Sequence, residues 1–134
     1  MSEYLLDTNH ASPLVTVGHP LRERVLARHQ AGDTFAICAP VLNEFLFGIA
    51  TLPRAQANLR EWEYLKIEFT FYGVDAADAE EAFKVRLNLR RQGRQLDLVD
   101  SFVAVVALRY NLTLLTKDKD FLAVPNLQQA NWLV

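Results

Sequence analysis

The sequence predicts an α/β fold in which a short, mainly parallel sheet is covered by helices on both faces. Short apolar runs alternate along the chain with longer segments of helical periodicity, as in successive βαβ units. Residues 97–110 are apolar nearly all round, which is typical of a buried helix. The length of 134 residues and the hydrophobic fraction of 51% suit one core, so we treat residues 1–134 as a single domain.

The first elements follow from one apolar run and from residues that cap helices. Residues 4–6 are followed directly by a carboxylate and predict a short buried strand. Asn9 or Ser12 is suited to cap the next helix, with Pro13 in its first turn. Residues 21–30 then have helical spacing. The exposed face of that helix is predicted to carry Arg22, Arg24 and Arg28.

Two strands and two helices are predicted in the middle of the chain. The runs 34–38 and 69–72 predict the second and third strands. Between them, residues 40–49 and 54–65 have apolar side chains at helical spacing. Pro40 is suited to the first turn of its helix because its missing N–H is not needed there.

The last third contains a long helix before the buried one. Asp75 or Asp78 can cap this helix, which runs to about Arg91 and ends at a glycine. Phe83 and Leu87 are predicted to mark its inner face. The fourth and fifth strands are predicted at 112–115 and 128–133.

Composition and charge exclude several classes of protein. The formal net charge of −2 and the pI near 5.9 give no overall basic character, so a polyanionic partner needs a local basic patch. Cys38 is the single cysteine, which rules out an internal disulfide and fits a reducing compartment. There is no signal sequence and no apolar run near the roughly 20 residues of a membrane span. We therefore expect a cytoplasmic protein without membrane contact.

Four carboxylates stand at positions that packing alone does not favour. Asp7 and Asp118 directly follow apolar strands, whereas Glu44 and Asp100 lie in apolar helices. Burial of an unpaired carboxylate costs several kcal/mol, and a helix N-terminus offsets only about 0.3–1 kcal/mol of this cost. The four acids together therefore predict a shared cation.

The residue types at this predicted site favour Mg²⁺ or Mn²⁺, because carboxylates and water form an all-oxygen ligand set. Zinc is disfavoured, since the cysteine is alone and the three histidines lack ligand spacing. A bound Mg²⁺ or Mn²⁺ activates water and neutralises a phosphate oxyanion. The site therefore points to phosphodiester hydrolysis.

Asp7, Asp100 and Asp118 also have structural explanations, whereas Glu44 is hard to explain in this way because its neighbours at helical spacing are apolar. Asp7 can end a strand, and Asp118 can belong to a plain turn. Asp97 is a natural N-cap with Asp100 three residues later, so both can simply start a helix. Asp97 otherwise lies at the rim of the site.

Neighbouring side chains suggest supporting and RNA-binding roles. Thr8 and Thr116 either orient a carboxylate or a metal-bound water, or close strand-end turns. Arg86 and Arg90 share one helical face in a basic stretch, and Lys117 lies beside the last acid. These three basic residues are candidates for binding a phosphate backbone, and a solvated helix face is the alternative for the stretch.

Four segments resemble the motifs of PIN-domain ribonucleases, especially the VapC-type toxins of bacterial toxin–antitoxin pairs. Residues 5–9 (LLDTN) are similar to the first motif and residues 43–48 (NEFLFG) to the second. Residues 98–104 (LVDSFVA) and 114–121 (LLTKDKDF) are similar to the third and fourth. Each motif alone is weak, but the four occur in the family's order and span nearly the whole chain.

The resemblance implies a Rossmann-like α/β/α sandwich and an Mg²⁺- or Mn²⁺-dependent endoribonuclease that a VapB-like antitoxin binds and blocks. It often also implies a homodimer. The acids that it carries over as catalytic and metal-binding residues are Asp7, Glu44, Asp100 and Asp118. Thr8 carries over as a supporting residue, and Asp120 lies in a turn where the family varies.

We therefore expect a metal-dependent endoribonuclease of the VapC type, with other classes left open. A PIN-fold binding module that docks a basic partner predicts partner binding without metal-dependent cleavage. A small-molecule phosphohydrolase is disfavoured because no glycine-rich phosphate loop follows a strand. Within the family, the alternative is a housekeeping nuclease that has no antitoxin.

Overall fold

The computed structural model describes residues 1–133 and contains one sheet of five parallel strands. The strands are β1 (Glu3–Leu6), β2 (Thr34–Cys38), β3 (Phe69–Tyr72), β4 (Thr113–Leu115) and β5 (Gln129–Ala130). Their order in the sheet is β3-β2-β1-β4-β5.

Six α-helices in the described part of the chain connect the strands and flank the sheet. They are α1 (Thr8–Ala11), α2 (Pro20–Gln30), α3 (Ala39–Ala50), α4 (Ala55–Leu65), α5 (Ala76–Arg91) and α6 (Leu98–Arg109). Short 3-10 helices cover Ser12–Val15, Lys66–Glu68 and Lys119–Ala123. The predicted α/β class with a parallel sheet is confirmed.

β1 is the central strand of the sheet, and the first of the four acids directly follows it. Leu5 pairs with Ala36 of β2 on one side and with Leu114 of β4 on the other, and its side chain is fully buried. The chain builds outward from β1 to β3 and then returns to β4, so the strand order reverses beside β1. In open α/β sheets, ligands bind at such a switch point, outside the carboxyl ends of the strands.

α6 is buried through its middle, as the sequence predicted, but it is exposed at both ends, and Leu108 near the C-terminus is 38% exposed. The run from Val103 to Ala107 is buried, and α6 packs against α5, α3 and β4. Leu98, in the first turn, is exposed. No helix in residues 1–133 combines the length and the apolar character that crossing a membrane requires.

The first helix starts earlier than the sequence predicted. Asp7 is its N-cap and accepts a hydrogen bond from the Thr8 backbone N–H (2.9 Å), in place of the predicted Asn9 or Ser12. The carboxylate that ends β1 therefore starts α1 with no intervening loop. Pro13 lies in the first turn of the 3-10 helix that follows.

Two side chains of the helices face the opposite way from the prediction. Arg22 is buried rather than exposed, because its guanidinium pairs with Glu61 (2.8 Å) and donates to the Leu14 carbonyl (3.1 Å). Phe83 is 60% exposed and does not mark the inner face of α5. The buried residues of that helix are Asp78, Ala82 and Leu89.

The long helix α5 has the predicted ends. Asp75 caps it by accepting from the Asp78 backbone N–H, and the Asp78 carboxylate accepts from the Asp75 backbone N–H, which completes a capping box. At the other end, Gly93 adopts a φ of +76°, a left-handed conformation that favours glycine after a helix.

β5 is shorter than the predicted strand 128–133, because the chain leaves the sheet after Ala130. The ring of Trp132 then packs against Tyr4 (centroids 4.8 Å apart) and Phe35 (6.0 Å). The guanidinium carbon of Arg24 lies 3.9 Å from the Trp132 ring centroid. These contacts anchor the C-terminal segment against β1 and β2.

Candidate metal centre

Asp7 is buried at the carboxyl end of β1, where its side chain has three hydrogen-bond donors. It accepts from the Thr8 backbone (2.9 Å), the Thr116 hydroxyl (2.8 Å) and the Asn9 amide nitrogen (3.2 Å). Burial raises its pKa, and the charges of Glu44 and Asp118 raise it further, whereas Thr116 and Thr8 oppose the shift. The carboxylate is thus held in one orientation, and within residues 1–133 it forms no ion pair.

Glu44 reaches the same region from the second turn of α3. Its side chain is exposed rather than enclosed by the apolar surface of α3, and it accepts a hydrogen bond from the Thr8 hydroxyl (2.5 Å). Thr8 therefore contacts both predicted acids, Asp7 through its backbone and Glu44 through its side chain. This arrangement is consistent with the expected supporting role of Thr8.

Asp100 and Asp97 lie at the start of α6. Asp97 caps the helix, and its side chain accepts from the Asp100 backbone N–H (2.8 Å), so its carboxylate has a structural task. Burial raises the pKa of Asp100 to about 7, with further contributions from the charges of Asp97, Asp7, Asp118 and Glu44. Asp100 is the residue at which the repulsion among these acids is concentrated.

Asp118 lies in the turn after β4, together with Asp120. The Thr116 hydroxyl oxygen accepts from the Asp118 backbone N–H (3.0 Å), and Asp118 accepts from the Asp120 backbone N–H (2.9 Å). Carboxylate oxygens of Asp100, Asp118 and Asp120 lie within 4.8 Å of one another. Asp120, which the sequence alone left in a variable turn, is thus adjacent to two of the four predicted acids.

The donor set fits a hard divalent cation. All the side chains at the site offer oxygen, and within residues 1–133 none of the ion pairs includes Asp7, Glu44, Asp100 or Asp118. Oxygen ligands with an excess of negative charge are the donor set that hard divalent cations such as Mg²⁺ and Mn²⁺ prefer. The histidines have other contacts: His19 caps α2, and His29 pairs with Glu68 (2.6 Å).

Asn9 and His10 also belong to this region, although the sequence alone gave them no role at the metal site. Asn9 donates to Asp7 and to the Thr116 hydroxyl (3.4 Å), and it accepts from the Lys117 backbone N–H (3.2 Å). The signal in the sequence was their position, directly after the strand-end acid, but amides and imidazoles there are also common capping residues.

The predicted RNA-binding residues lie on two sides of the acids. Arg86 donates through Nε to the Leu96 carbonyl (3.2 Å), so it also holds the turn before α6. An open groove of about 660 Å³ runs along α5 to Asp97. Its lining residues are Phe83, Arg86, Leu87, Arg90, Arg94, Gln95, Leu96 and Asp97. Lys117 is exposed and lies on the β4 side of the site.

The parallel sheet and the site at its switch point define an α/β domain of the PIN type. The PIN domain family matches residues 4–127, and the chain belongs to this family. The predicted family membership is therefore confirmed.

Individual relatives are VapC and VapBC proteins. The chain is 27% identical over 100 residues to Ribonuclease VapC4 of Mycobacterium tuberculosis, covering 73% of this chain and 77% of that protein. It superposes on VapBC2 of Rickettsia felis, bound to a promoter DNA fragment, with a TM-score of 0.84 at 24% identity, covering 97% and 98% of the two chains. DNA-bound VapBC of Salmonella typhimurium gives a TM-score of 0.80 at 22% identity, covering 98% and 99%.

Proposed function

We propose that the protein is an Mg²⁺- or Mn²⁺-dependent endoribonuclease of the VapC toxin type. The observation that carries the proposal is the convergence of carboxylates from four elements at the switch point of the sheet. The catalytic and metal-binding acids are Asp7, Glu44, Asp100 and Asp118. The 27% identity to a protein named ribonuclease supports RNA as the substrate.

The chain's own residues would hold the ion and the scissile phosphate in place. When bound, the divalent ion supplies Lewis acidity that activates water and stabilises negative charge on a phosphate oxygen. Asp7 is fixed by Thr116 and Asn9, and Glu44 is fixed by Thr8, so two of the ligands are already oriented. Asp120 is a further candidate ligand because of its proximity to Asp118.

Asp100 couples cation binding to proton release. Its raised pKa means that the metal-free protein keeps a proton on this carboxyl near neutral pH. A cation favours the ionised form, so the proton leaves as the ion binds. Cation affinity is therefore expected to increase with pH across this range.

The groove along α5 is the proposed path for the RNA strand. Arg90 and Arg94 are exposed there, and within the described residues neither forms an ion pair, so both can contact phosphates. The exposed ring of Phe83 offers a surface on which a base can stack. The groove ends at Asp97, one helical turn from Asp100.

If RNA follows this groove, removing a positive charge and removing an aromatic ring should affect RNA binding in different ways. Arg90→Gln should weaken binding of single-stranded RNA and reduce the slope of log K against log salt by about 0.7, the value for one phosphate contact. Phe83→Ala should lose roughly 1–3 kcal/mol of binding energy with an unchanged salt slope. Fluorescence anisotropy at several salt concentrations, in EDTA to prevent cleavage, measures both quantities.

Arg60→Gln is the matched control for the charge change, since Arg60 is exposed on α4 and does not line the groove. It should leave affinity and slope close to those of the wild type. Equal slopes for Arg90→Gln and Arg60→Gln would place the RNA elsewhere.

A second surface suits an inhibitory protein partner. Phe47, Leu59, Ile67 and Phe71 are exposed between α3 and α4, where they border an apolar groove of about 880 Å³. Contiguous exposed apolar side chains of this kind mark protein interaction sites. The superposable VapBC structures support a VapB-like antitoxin as the partner, and the family supports a homodimer in the cytoplasm.

The direct test is cleavage of RNA by the purified chain. We expect endonucleolytic products with Mg²⁺ or Mn²⁺, loss of cleavage in EDTA, and recovery when the metal is restored. Binding of a basic protein without cleavage would favour the binding module instead. A small neighbouring gene whose product binds and inhibits the chain supports the toxin role, and an active nuclease without one is a housekeeping enzyme. Light scattering of the purified chain tests the homodimer.

A further inference from the structure

His10 is fully buried in α1, and none of the roles proposed above uses it. Both of its ring nitrogens have partners. The Trp132 backbone N–H donates to Nε2 (3.0 Å), and Nδ1 lies 2.6 Å from the side-chain oxygen of Asn9. The imidazole thus lies between the anchored C-terminal segment and the residue that contacts Asp7.

The Trp132 N–H fixes where the protons of this network are. A backbone N–H can only donate, so Nε2 accepts, and the proton of the neutral ring is on Nδ1. Nδ1–H therefore donates to the Asn9 oxygen, which also accepts from the Lys117 backbone N–H (3.2 Å). Burial, aided by the charge of Lys117, lowers the pKa of His10 to about 4, so the ring is neutral at physiological pH.

The Nδ1–H of His10 and the backbone N–H of Lys117 determine the orientation of the Asn9 amide. With its oxygen occupied, its nitrogen points to the Asp7 carboxylate (3.2 Å) and to the Thr116 hydroxyl (3.4 Å). The flipped amide would place a carbonyl oxygen against the Asp7 carboxylate, which is repulsive. Thr116 donates to the same Asp7 oxygen (2.8 Å), so Asn9 and Thr116 together orient that carboxylate.

We propose that His10 is a positioning residue of the metal site, which holds Asp7 through Asn9 and connects it to the C-terminal segment. The inference rests on the metal site of the proposed function. Asn9 is the direct hydrogen-bond partner of the proposed ligand Asp7, and loss of such a partner typically changes metal affinity or activity by roughly 10–100-fold. His10 acts one step further out, by holding Asn9. Trp132 is held by Tyr4, Phe35 and Arg24, so the network starts from a rigid point.

Two variants of His10 each remove one of the two hydrogen bonds of the imidazole ring and keep the other. The amide nitrogen of asparagine occupies the place of Nδ1, so His10→Asn keeps the donor to Asn9 and loses the acceptor for Trp132. The carbonyl of glutamine occupies the place of Nε2, so His10→Gln does the opposite. We expect His10→Gln to raise the Kd for Mn²⁺ by about 10-fold or more, and His10→Asn to stay close to the wild type.

The measurement is a Mn²⁺ titration of the full chain by electron paramagnetic resonance, with no RNA present, beside thermal unfolding of each variant. Equal Mn²⁺ affinities for His10→Gln and the wild type would overturn the proposal. The proposal would also be overturned if both variants lost Mn²⁺ affinity in proportion to the fall in their unfolding temperatures. That pattern indicates a purely structural role.

Nitrogen-15 NMR of the wild-type imidazole tests the tautomer without any substitution. A proton on Nδ1 supports the proposal, and a proton on Nε2 contradicts it. Because the Mn²⁺ titration needs no RNA, it tests the role of His10 independently of the proposed ribonuclease function. A chain that binds Mn²⁺ with the expected variant pattern but leaves RNA intact would refute the nuclease and support the role of His10.

Discussion

Asp100→Asn is expected to lower Mg²⁺-dependent RNA cleavage by at least about 10²-fold, the scale of losing one group that stabilises transition-state charge. The substitution keeps the size of the side chain and removes the carboxylate at which the electrostatic influence of four other acids converges. Cleavage of a labelled RNA under single-turnover conditions measures the effect. Asp7→Asn is expected to behave alike, since Asp7 occupies the end of the central strand.

A second readout separates a metal ligand from a structural residue. The pKa of Asp100 is raised from 3.8 to about 7, so between these pH values the folded state holds a proton that the unfolded state has released. Stability of the metal-free protein therefore falls as pH rises through this window. Asp100→Asn removes that dependence and should raise Tm in EDTA at pH 7.5, with a smaller difference at pH 5.

The control for Asp100→Asn is Glu80→Gln, which removes one charge from an exposed position on α5. It should change neither cleavage nor Tm by much, because exposed charges contribute little. Unchanged cleavage by Asp100→Asn would refute the site. A lower Tm for Asp100→Asn than for the wild type at pH 7.5 would instead show that this carboxylate stabilises the fold.

Local patterns were enough to predict the α/β class and the parallel sheet, but not the order of its strands. Strands that alternate with helices form a parallel sheet, and parallel strands bring their carboxyl ends to one edge. Asp7, at the end of β1, and Asp118, after β4, were therefore predictable at the same edge of the sheet from their positions alone. The hydrogen bond that Thr116 donates to Asp7 was not predictable, because these two residues are far apart in the sequence.

The errors on α2 and α5 have that same cause. Arg22 is buried because Glu61, on another helix, pairs with it, and nothing near Arg22 in the sequence signals this partner. The inner face of α5 contains Asp78, which pairs with Arg109 (2.9 Å), and a small alanine. This inner face has few large apolar residues, so its periodic pattern in the sequence is weaker than that of the face through Phe83. The periodicity therefore indicated the wrong face of α5.

The network of Asn9 and His10 shows the same limit at the site itself. Asn9 is next to the acid motif, but its orientation is set by Lys117 and by His10, and His10 is set by Trp132. The sequence shows the residues, whereas only the fold shows which donor meets which acceptor. The sequence is thus sufficient to select candidate acids, whereas the hydrogen bonds that orient their side chains are visible only in the fold.

Phe45→Ala is expected to lower the free energy of unfolding by about 3–5 kcal/mol, the usual cost of emptying a buried phenylalanine site. Phe45 is 0% exposed, and its ring meets that of Trp62 edge to face with centroids 5.0 Å apart. Domains of this size are stable by only about 5–15 kcal/mol, so much of the total is removed. In urea denaturation, the midpoint should fall while the m-value is kept.

Phe47→Ala provides a matched comparison on the same helix, since Phe47 is 71% exposed. Its effect should stay within about 0.5 kcal/mol. Equal losses for the two variants would contradict the assigned inner face of α3. The position of Phe45 also matters for the candidate metal centre, because Glu44 directly precedes Phe45 in α3. The packing of Phe45 fixes the rotation of α3, and that rotation turns the Glu44 carboxylate toward Thr8 and the edge of the sheet where the other acids lie.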